Sequence, residues 1–205
     1  HAGVWKIGLE LLFAGGADLA RELAQNGQKV FVDAKLLDIP NTVERATANI
    51  AAMGAAFLTV HGHDIKTMKA AMRGRGGHDL KLLSVTVLTS LDTDDLEQQG
   101  SHMGPAELVL HRAKLRQEAG FDGVIASGQE AAQIRKATGS DFLIVTPGIR
   151  PSGSEIGDQA RVMTPAKAIA AGADYLVVGR PITEAEDPAA AAAAIVAEIE
   201  TARPA

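Results

Sequence analysis

Runs of β-forming residues alternate with alanine-rich helical stretches along this chain of 205 residues. The seven strand candidates are VWKIGL (4–9), KVFVDAK (29–35), AFLTVHG (56–62), KLLSVTVLT (81–89), GVIAS (123–127), FLIVTPG (142–148) and YLVVGR (175–180). Helices are predicted between them, among others over 16–27, 42–54, 106–120 and 164–173, with an alanine run at 189–194 in the last helix. This alternation is typical of parallel strands joined by right-handed helical crossovers.

The number of strands favours a barrel. A (β/α)8 TIM barrel needs eight strands, and the sequence shows seven. The chain begins at HAGVWKIG, already at the edge of a strand, so we expect the first strand and its helix to precede residue 1. An open doubly wound sheet is the rival, but it needs a glycine-rich turn after its first strand, and GLELLFAGG is a poor match. We therefore predict an α/β fold of the (β/α)8-barrel class in a single domain over residues 1–205.

Composition argues against several classes of function. The chain has no cysteine, which excludes a disulfide framework and a thiolate metal site. A net charge of −5 argues against a nucleic-acid-binding surface. No apolar run reaches the roughly 18 residues of a membrane span, so we expect a cytoplasmic protein that contacts no membrane. The six histidines include no i,i+4 pair, and we expect no metal.

The stretch FVDAKLLDIPNTV (31–43) places three charges, Asp33, Lys35 and Asp38, among apolar residues. Side chains two apart on a strand share a face, so Asp33 and Lys35 should point the same way. Near the C-terminal mouth of a barrel they would lie where active sites form. A structural ion pair is the alternative, but desolvation makes buried ion pairs a weak source of stability. Lys6, on the preceding strand, would add a second lysine to this group if it points inward.

The charged stretch carries a resemblance to a known family. DAKLLDIPNTV resembles the D-x-K-x-x-D-I-P-x-T signature of the orotidine 5′-monophosphate (OMP) decarboxylase family, and WKIGLELL is similar to the lysine strand that precedes it. VTVLTS (85–90), TPGIRP (146–151), GDQARVMTP (157–165) and VVGRPIT (177–183) follow in the family's order. The resemblance covers essentially the whole chain. It implies a barrel enzyme of pyrimidine biosynthesis that converts OMP to uridine monophosphate (UMP) and CO₂ without cofactor or metal.

The resemblance also implies catalytic roles. Lys35 would protonate C6 of the pyrimidine as CO₂ leaves, and Asp33 would lie beside the substrate carboxylate. Lys6 would hold Asp33 and contact the ribose. Asp38 resembles a carboxylate that a partner subunit contributes, which implies a homodimer that shares Asp38 and Thr42 across its interface.

Seven positions are implied to bind the substrate. They are Ile39, Thr42, Ser90, Pro147, Gln159, Gly179 and Arg180. Ser90 would bond the pyrimidine edge, although a serine that caps the next helix is the alternative. Gln159 resembles a lid residue that touches the phosphate. Gly179 and Arg180 follow the last strand, where TIM-type barrels bind phosphate through backbone N–H groups and charged side chains.

Some assignments stay open at this point. His61 ends its predicted strand and fits either a core position or a catalytic one. Arg150 and Arg161 fit either a lid that contacts phosphate or a solvated loop. The family's first strand carries an aspartate that has no counterpart in this sequence.

Two other functions also remain. One is a related enzyme acting on 3-keto-L-gulonate 6-phosphate or a hexulose phosphate, which shares a D-x-K motif but uses Mg²⁺. The other is a non-catalytic phosphate-binding barrel. The lid sequence and DIPNT favour the nucleotide enzyme, and the presence of all four charges, Lys6, Asp33, Lys35 and Asp38, argues against a non-catalytic protein.

Overall fold

A computed structural model describes residues 1–151 and 162–202 of the chain. They form two compact units. The first unit comprises Ala2–Val85 and Arg116–Gly123, and the second comprises Thr86–Leu115 and Val124–Ala205 together with His1. None of the described helices is long and apolar enough to span a membrane.

The first unit is built on four parallel strands that pair in chain order. The strands are β1 (Trp5–Gly8), β2 (Val30–Leu36), β3 (Phe57–Val60) and β4 (Lys81–Val85). Its helices are α1 (Leu9–Leu11), α2 (Ala17–Gln25), α3 (Pro40–Ala52) and α4 (Ile65–Arg75), with a π-helical stretch at Leu12–Gly16 between α1 and α2.

The elements that follow continue the alternation. They are α5 (Thr93–Gln98), α6 (Pro105–Glu118), β5 (Gly123–Ile125), α7 (Gly128–Thr138), β6 (Leu143–Thr146), α8 (Pro165–Ala170), β7 (Tyr175–Leu176), α9 (Arg180–Thr183) and α10 (Pro188–Ala202). In the second unit β6 and β7 are again parallel, with Val145 opposite Tyr175. The predicted alternation of strands and helices is therefore confirmed in the described residues.

Strands β2, β3 and β4 are largely buried on both faces, which explains their nearly continuous apolar sequence, whereas β1 is exposed at Trp5 and Lys6. Val32 and Leu58 pack into a core with residues of the helices, among them Val43 of α3 and Met68 of α4. On the opposite face the rings of Phe31 and Phe57 meet edge to edge at a centroid distance of 6.0 Å. The second unit has cores of its own, for example around Val109, Ile134 and Ile144.

Glycines end the predicted helices. Gly27, Gly54, Gly120 and Gly172 all have positive φ, between 77° and 102°, a conformation that glycine adopts without a steric penalty. All the strands except β2 are shorter than predicted, β4 and β7 the most. β4 ends at Val85 instead of residue 89, and β7 covers Tyr175–Leu176 instead of 175–180. The apolar pattern continues past the last ladder hydrogen bond in both cases, because residues of the following loops are also packed.

Candidate active site

The Asp33 carboxylate lies between two lysine ammonium groups toward the carboxyl ends of β1 and β2. Lys35 Nζ donates to Asp33 Oδ1 at 2.8 Å, and Lys6 Nζ donates to Oδ2 at 3.3 Å. The parallel register sets Gly8 opposite Asp33, so Lys6, two residues before Gly8, lies on the same face. A Cβ at Gly8 would stand 2.9 Å from Lys6 Nζ, and glycine therefore leaves room for the ammonium group.

Lys35 reaches this position through a bulge in β2. Val32 pairs with Leu58 and Leu36 pairs with Val60, so that residues 33–35 stand opposite the single residue 59. Lys35 has φ of 47°, and no other described residue except glycine has a positive φ. We expected regular alternation to bring Asp33 and Lys35 to one face. Their side chains do meet, but at an irregular, strained stretch of strand.

Thr59 on β3 occupies the gap opposite the bulge. Its hydroxyl accepts the backbone N–H of Lys35 at 2.9 Å and donates to Asp33 Oδ1 at 2.8 Å. Thr59 is completely buried. The Asp33 carboxylate thus receives three hydrogen bonds, two of them from cations.

Burial and charge act on Asp33 in opposite directions. Burial raises the pKa of the carboxyl, whereas the hydrogen bond and charge of Lys35, the charge of Lys6 and the hydrogen bond from Thr59 lower it. The lowering contributions dominate, and the pKa of Asp33 lies below its ordinary value. Asp33 is therefore a carboxylate anion at neutral pH although only 9% of the residue is exposed.

The three charges line an open cleft of about 440 Å³ within the first unit. Leu9 and Leu11 contribute apolar walls to the same cleft. Lys6 and Lys35 are each about one-third exposed, with side-chain exposures of 32% and 29%. A ligand in the cleft can therefore reach Asp33 and two cations at once, beside an apolar surface and a second acidic residue, Glu10.

Three other predicted site residues lie on the segment after β2 and are exposed. Asp38 Oδ1 accepts the N–H of Ile39 at 2.7 Å, and Ile39 is 67% exposed. Thr42 lies in the first turn of α3 and is also exposed. None of the three lines the cleft around Asp33.

The remaining predicted substrate contacts belong to the second unit. Ser90 is exposed in the turn after β4, and it does not cap α5, because Asp92 is the N-cap and forms a capping box with Asp95. The alternative interpretation of Ser90 as a helix cap is therefore wrong. Pro147 follows β6 directly and is half-buried, and Arg180 is exposed at the start of α9.

Gly179 is the N-cap of α9 and is exposed. Gln159 and Arg161 lie outside the described residues. His61 stacks on His63 with a ring-centroid distance of 5.3 Å, and Arg150 donates to the carbonyl of Ile149 at 2.9 Å.

Sequence reasoning missed Thr59 and Gly8. A threonine in the apolar strand AFLTVHG is typical of a β-branched core residue, and nothing in the sequence signals a bulge on the neighbouring strand. In the part of the chain that the structure describes, no group of three or more histidine and acidic side chains is arranged to hold a metal ion.

Comparison with known proteins agrees with this fold. The model of the "Orotidine 5'-phosphate decarboxylase / HUMPS family" matches residues 1–195. A protein of Rhodopseudomonas palustris strain BisA53 named orotidine 5'-phosphate decarboxylase is 57% identical over 195 residues, which is 95% of this chain and 83% of that protein. A protein of the same name from Bradyrhizobium sp. strain ORS 278 is 58% identical over 198 residues, covering 97% of this chain and 81% of the relative.

A solved structure extends the likeness to the fold. The crystal structure of orotidine 5'-phosphate decarboxylase from Lactobacillus acidophilus superposes with a TM-score of 0.83 at 42% identity, over 95% of this chain and 85% of that one. The parallel strands and their helices are those of an α/β enzyme of the (β/α)8-barrel class. The chain belongs to the orotidine 5'-phosphate decarboxylase / HUMPS family. The predicted fold class and family resemblance are confirmed.

Proposed function

We propose that this protein decarboxylates OMP to UMP and CO₂ in pyrimidine biosynthesis. The observation that carries the proposal is the ionised Asp33 held between Lys6 and Lys35 in an open cleft. Relatives of 57–58% identity are named for this activity. A cytoplasmic location goes with the proposal, because a charged nucleotide does not cross a membrane unaided; cell fractionation tests it.

The chemistry of the reaction explains the two lysines. Loss of CO₂ leaves a carbanion at C6 that the pyrimidine ring does not delocalise, so the developing charge must be stabilised from outside. The Lys35 ammonium provides a preorganised cation for this charge and then a proton for the carbon. The strained conformation of Lys35 fixes where its side chain leaves the backbone, and it is one reason why the ammonium is held in place before substrate arrives.

Asp33 acts on the other reacting group. A carboxylate beside the carboxylate of the substrate disfavours the ground state, and this repulsion disappears as CO₂ leaves. The role requires an ionised Asp33, and the lowered pKa of Asp33 meets that requirement. Lys6 keeps the anion ionised and is free to contact a ribose hydroxyl from its partly exposed position.

A direct assay tests the activity. The purified protein is mixed with OMP, and the loss of the orotidine absorbance is followed in the presence and absence of EDTA. We expect turnover that EDTA does not change. Turnover of 3-keto-L-gulonate 6-phosphate or a hexulose phosphate, abolished by EDTA and restored by Mg²⁺, together with no reaction of OMP, would refute the proposal in favour of the related sugar-phosphate chemistry.

We further propose that Arg180 and Gly179 bind the phosphate of the substrate. Arg180 and Gly179 are exposed at the start of α9, where a guanidinium and a backbone N–H can reach a ligand. Pro147 and Ser90 follow the ends of their strands, and Gln159 is included from the family pattern. Contacts between these residues and the phosphate would contribute binding energy at a distance from the reacting carbon, and this energy can support the reaction there.

Replacement of Arg180 by alanine tests this assignment. A charge-assisted contact is worth about 1.5–3 kcal/mol, so KM for OMP should rise at least about tenfold. Decarboxylation of the phosphate-free nucleoside orotidine should change much less. An equal loss with both substrates would place Arg180 outside the phosphate site.

The enzyme is further proposed to be a homodimer that shares Asp38 and Thr42 between subunits. In one subunit these residues are exposed and do not line its own cleft. Large apolar side chains are also exposed in the same unit, with Phe13 at 90% and Leu37 at 61%. Apolar exposure of this kind marks interaction surfaces, and a second copy of the chain would cover it.

Mixed dimers test the shared site. Lys35→Ala and Asp38→Ala subunits, each inactive alone, are co-expressed in equal amounts. About half of the dimers should be mixed, and each mixed dimer has one doubly defective site and one intact site. The mixture should regain about a quarter of wild-type activity under random exchange. Verified mixed dimers that stay inactive would mean that Asp38 serves the site of its own subunit.

A further inference from the structure

One hydroxyl group connects the two residues proposed to do the chemistry. Thr59 Oγ1 bonds both the side chain of Asp33 and the main chain of Lys35, at 2.8 and 2.9 Å. The family pattern of the D-x-K signature does not include this position, which lies on another strand. The hydroxyl is completely buried, so no ligand in the cleft competes for it.

The Thr59 hydroxyl provides a hydrogen-bond acceptor for the backbone N–H of Lys35 at the bulge in β2. The shift in register leaves residues 33–35 opposite a single residue, and at this interruption of the ladder the N–H of Lys35 donates to the Thr59 hydroxyl. A buried N–H without a partner is costly, and the positive φ of Lys35 adds to that cost. Thr59 supplies an acceptor at the position where the ladder is interrupted.

The same hydroxyl also orients the carboxylate. Because its lone pair accepts the Lys35 N–H, its proton points to Asp33 Oδ1, which Lys35 Nζ also reaches at 2.8 Å. The second oxygen, Oδ2, is left for Lys6. Removal of the hydroxyl leaves the rotamer of Asp33 held by the flexible lysine side chains and the N–H of Lys35 without its acceptor.

We propose that Thr59 is a positioning residue for decarboxylation. Its hydroxyl fixes the bulged backbone of Lys35 and the orientation of Asp33, and thereby places the ammonium and carboxylate groups for reaction with the substrate. This inference rests on the proposed function for its kinetic part and on the geometry of the first unit for the rest. Thr59 itself touches no substrate, because it is buried behind the two charged side chains.

Two pairs of variants isolate the hydroxyl. Thr59 and Thr59→Val are nearly isosteric, and Thr59→Ser differs from Thr59→Ala by one oxygen atom. We expect Thr59→Val and Thr59→Ala to lower kcat about 10- to 100-fold, as a displaced catalytic group does. KM for OMP should change less than about threefold, because substrate contacts are kept. Thr59→Ser should keep kcat within about threefold of the wild type.

Thr47→Val is the matched control. Thr47 is also completely buried in the same unit, on α3, but its Oγ1 has no hydrogen-bond partner. Thr47→Val should leave kcat unchanged. Retention of wild-type kcat by Thr59→Val or Thr59→Ala would overturn the proposal, as would a loss in Thr59→Ser equal to that in Thr59→Ala. If one hydroxyl-free variant does not fold, the comparison rests on the other pair.

A measurement without substrate separates this inference from the proposed function. The carboxyl ¹³C resonance of Asp33 is titrated in wild type, Thr59→Ser and Thr59→Val. Loss of the hydrogen bond should raise the pKa of Asp33 in Thr59→Val and leave it near that of the wild type in Thr59→Ser. Equal titration in all three would overturn the orienting role. Failure of the wild type to decarboxylate OMP would instead overturn the function and leave this result standing.

Discussion

Asp33 and Asp122 lie in the same unit and each carboxylate is shared by two basic side chains, yet they stand at opposite ends of the strands. Asp122 precedes β5 and accepts the N–H of Leu82 at 2.8 Å, at the amino end of β4. Arg75 donates to it at 2.9 Å, and Lys81 lies 3.6 Å away. Asp33 stands toward the carboxyl end, where active sites of parallel barrels lie.

The two carboxylates have the same number of basic partners but differ in their surroundings. Asp122 bonds the N–H of Leu82 and the planar guanidinium of Arg75, and it does not line the cleft around Asp33. Asp33 bonds two flexible lysines beside an open cleft, and Lys35 is in a strained conformation. The first arrangement joins elements of the fold, whereas the second holds charges ready for a ligand.

The second unit repeats the structural arrangement. Asp174 precedes β7, accepts the N–H of Ile144 at 2.7 Å and pairs with Arg135 at 2.6 Å. An aspartate that precedes one strand and bonds the strand before it therefore occurs twice, each time with an arginine from a helix. The comparison indicates that the ion pairs of Asp122 and Asp174 join strands to helices, whereas the pairs of Asp33 lie at a bulge beside a cleft.

The largest difference is expected when one lysine is removed from each cluster. Lys35→Ala should lower turnover of OMP at least about 1,000-fold, because both the cation at C6 and the proton donor are lost. UMP should still bind. Lys81→Ala, which removes a half-exposed lysine from Asp122, should leave turnover within about twofold, since weak exposed pairs contribute little. Full activity of purified Lys35→Ala would rule out its role.

Replacement of each aspartate by alanine should destabilise the protein more at Asp122 than at Asp33. Asp122→Ala leaves the Leu82 N–H and the Arg75 guanidinium unpaired in a partly buried place, and should lower the free energy of unfolding by about 1.5–3 kcal/mol. Asp33→Ala should lower it by less, because Lys6 and Lys35 can turn to solvent. Denaturant titration measures both.

Activity supplies the second half of that test. Asp33→Ala should lose turnover, whereas Asp122→Ala should keep it at a temperature where the protein is folded. A larger loss of stability in Asp33→Ala than in Asp122→Ala would mean that the bulged cluster stabilises the fold after all, and that the contrast between the two ends of the strands is wrong.

The sequence predicts one of these clusters and not the other. Asp33 and Lys35 interrupt an apolar strand, and such an interruption is visible in a single sequence. Asp122 lies in a glycine-flanked turn, where an aspartate is unremarkable, and its partners Arg75 and Leu82 are some 40 residues or more away in sequence. Pairing over such a separation depends on the completed fold.

The bulge shows the same limit within the site. The sequence correctly predicts parallel strands and that Asp33 and Lys35 meet, but it places them on a regular strand, whereas they meet at a bulge set by the register of β3 against β2. Thr59 is a strand residue by its own sequence and a hydrogen-bonding partner only because of that register. The ends of β4 and β7 also cannot be predicted from the apolar pattern, because apolar residues continue past the last residue of each strand.

The smallest expected effect is the pH dependence of the Asp33 cluster. The pKa of Asp33 in the folded protein is below its ordinary value of about 3.9, so the folded state favours the ionised form. Its contribution to stability is complete at pH values above the ordinary pKa and is lost as the pH falls through the lowered one.

The free energy of unfolding of wild type minus that of Asp33→Ala should therefore be constant from pH 7 to about 5 and decrease below about pH 4. Both proteins share every other carboxylate, so the difference isolates Asp33. A difference that increases on acidification would mean that burial outweighs the two lysines and Thr59, and that Asp33 is not the pre-ionised group that distinguishes this end of the strands.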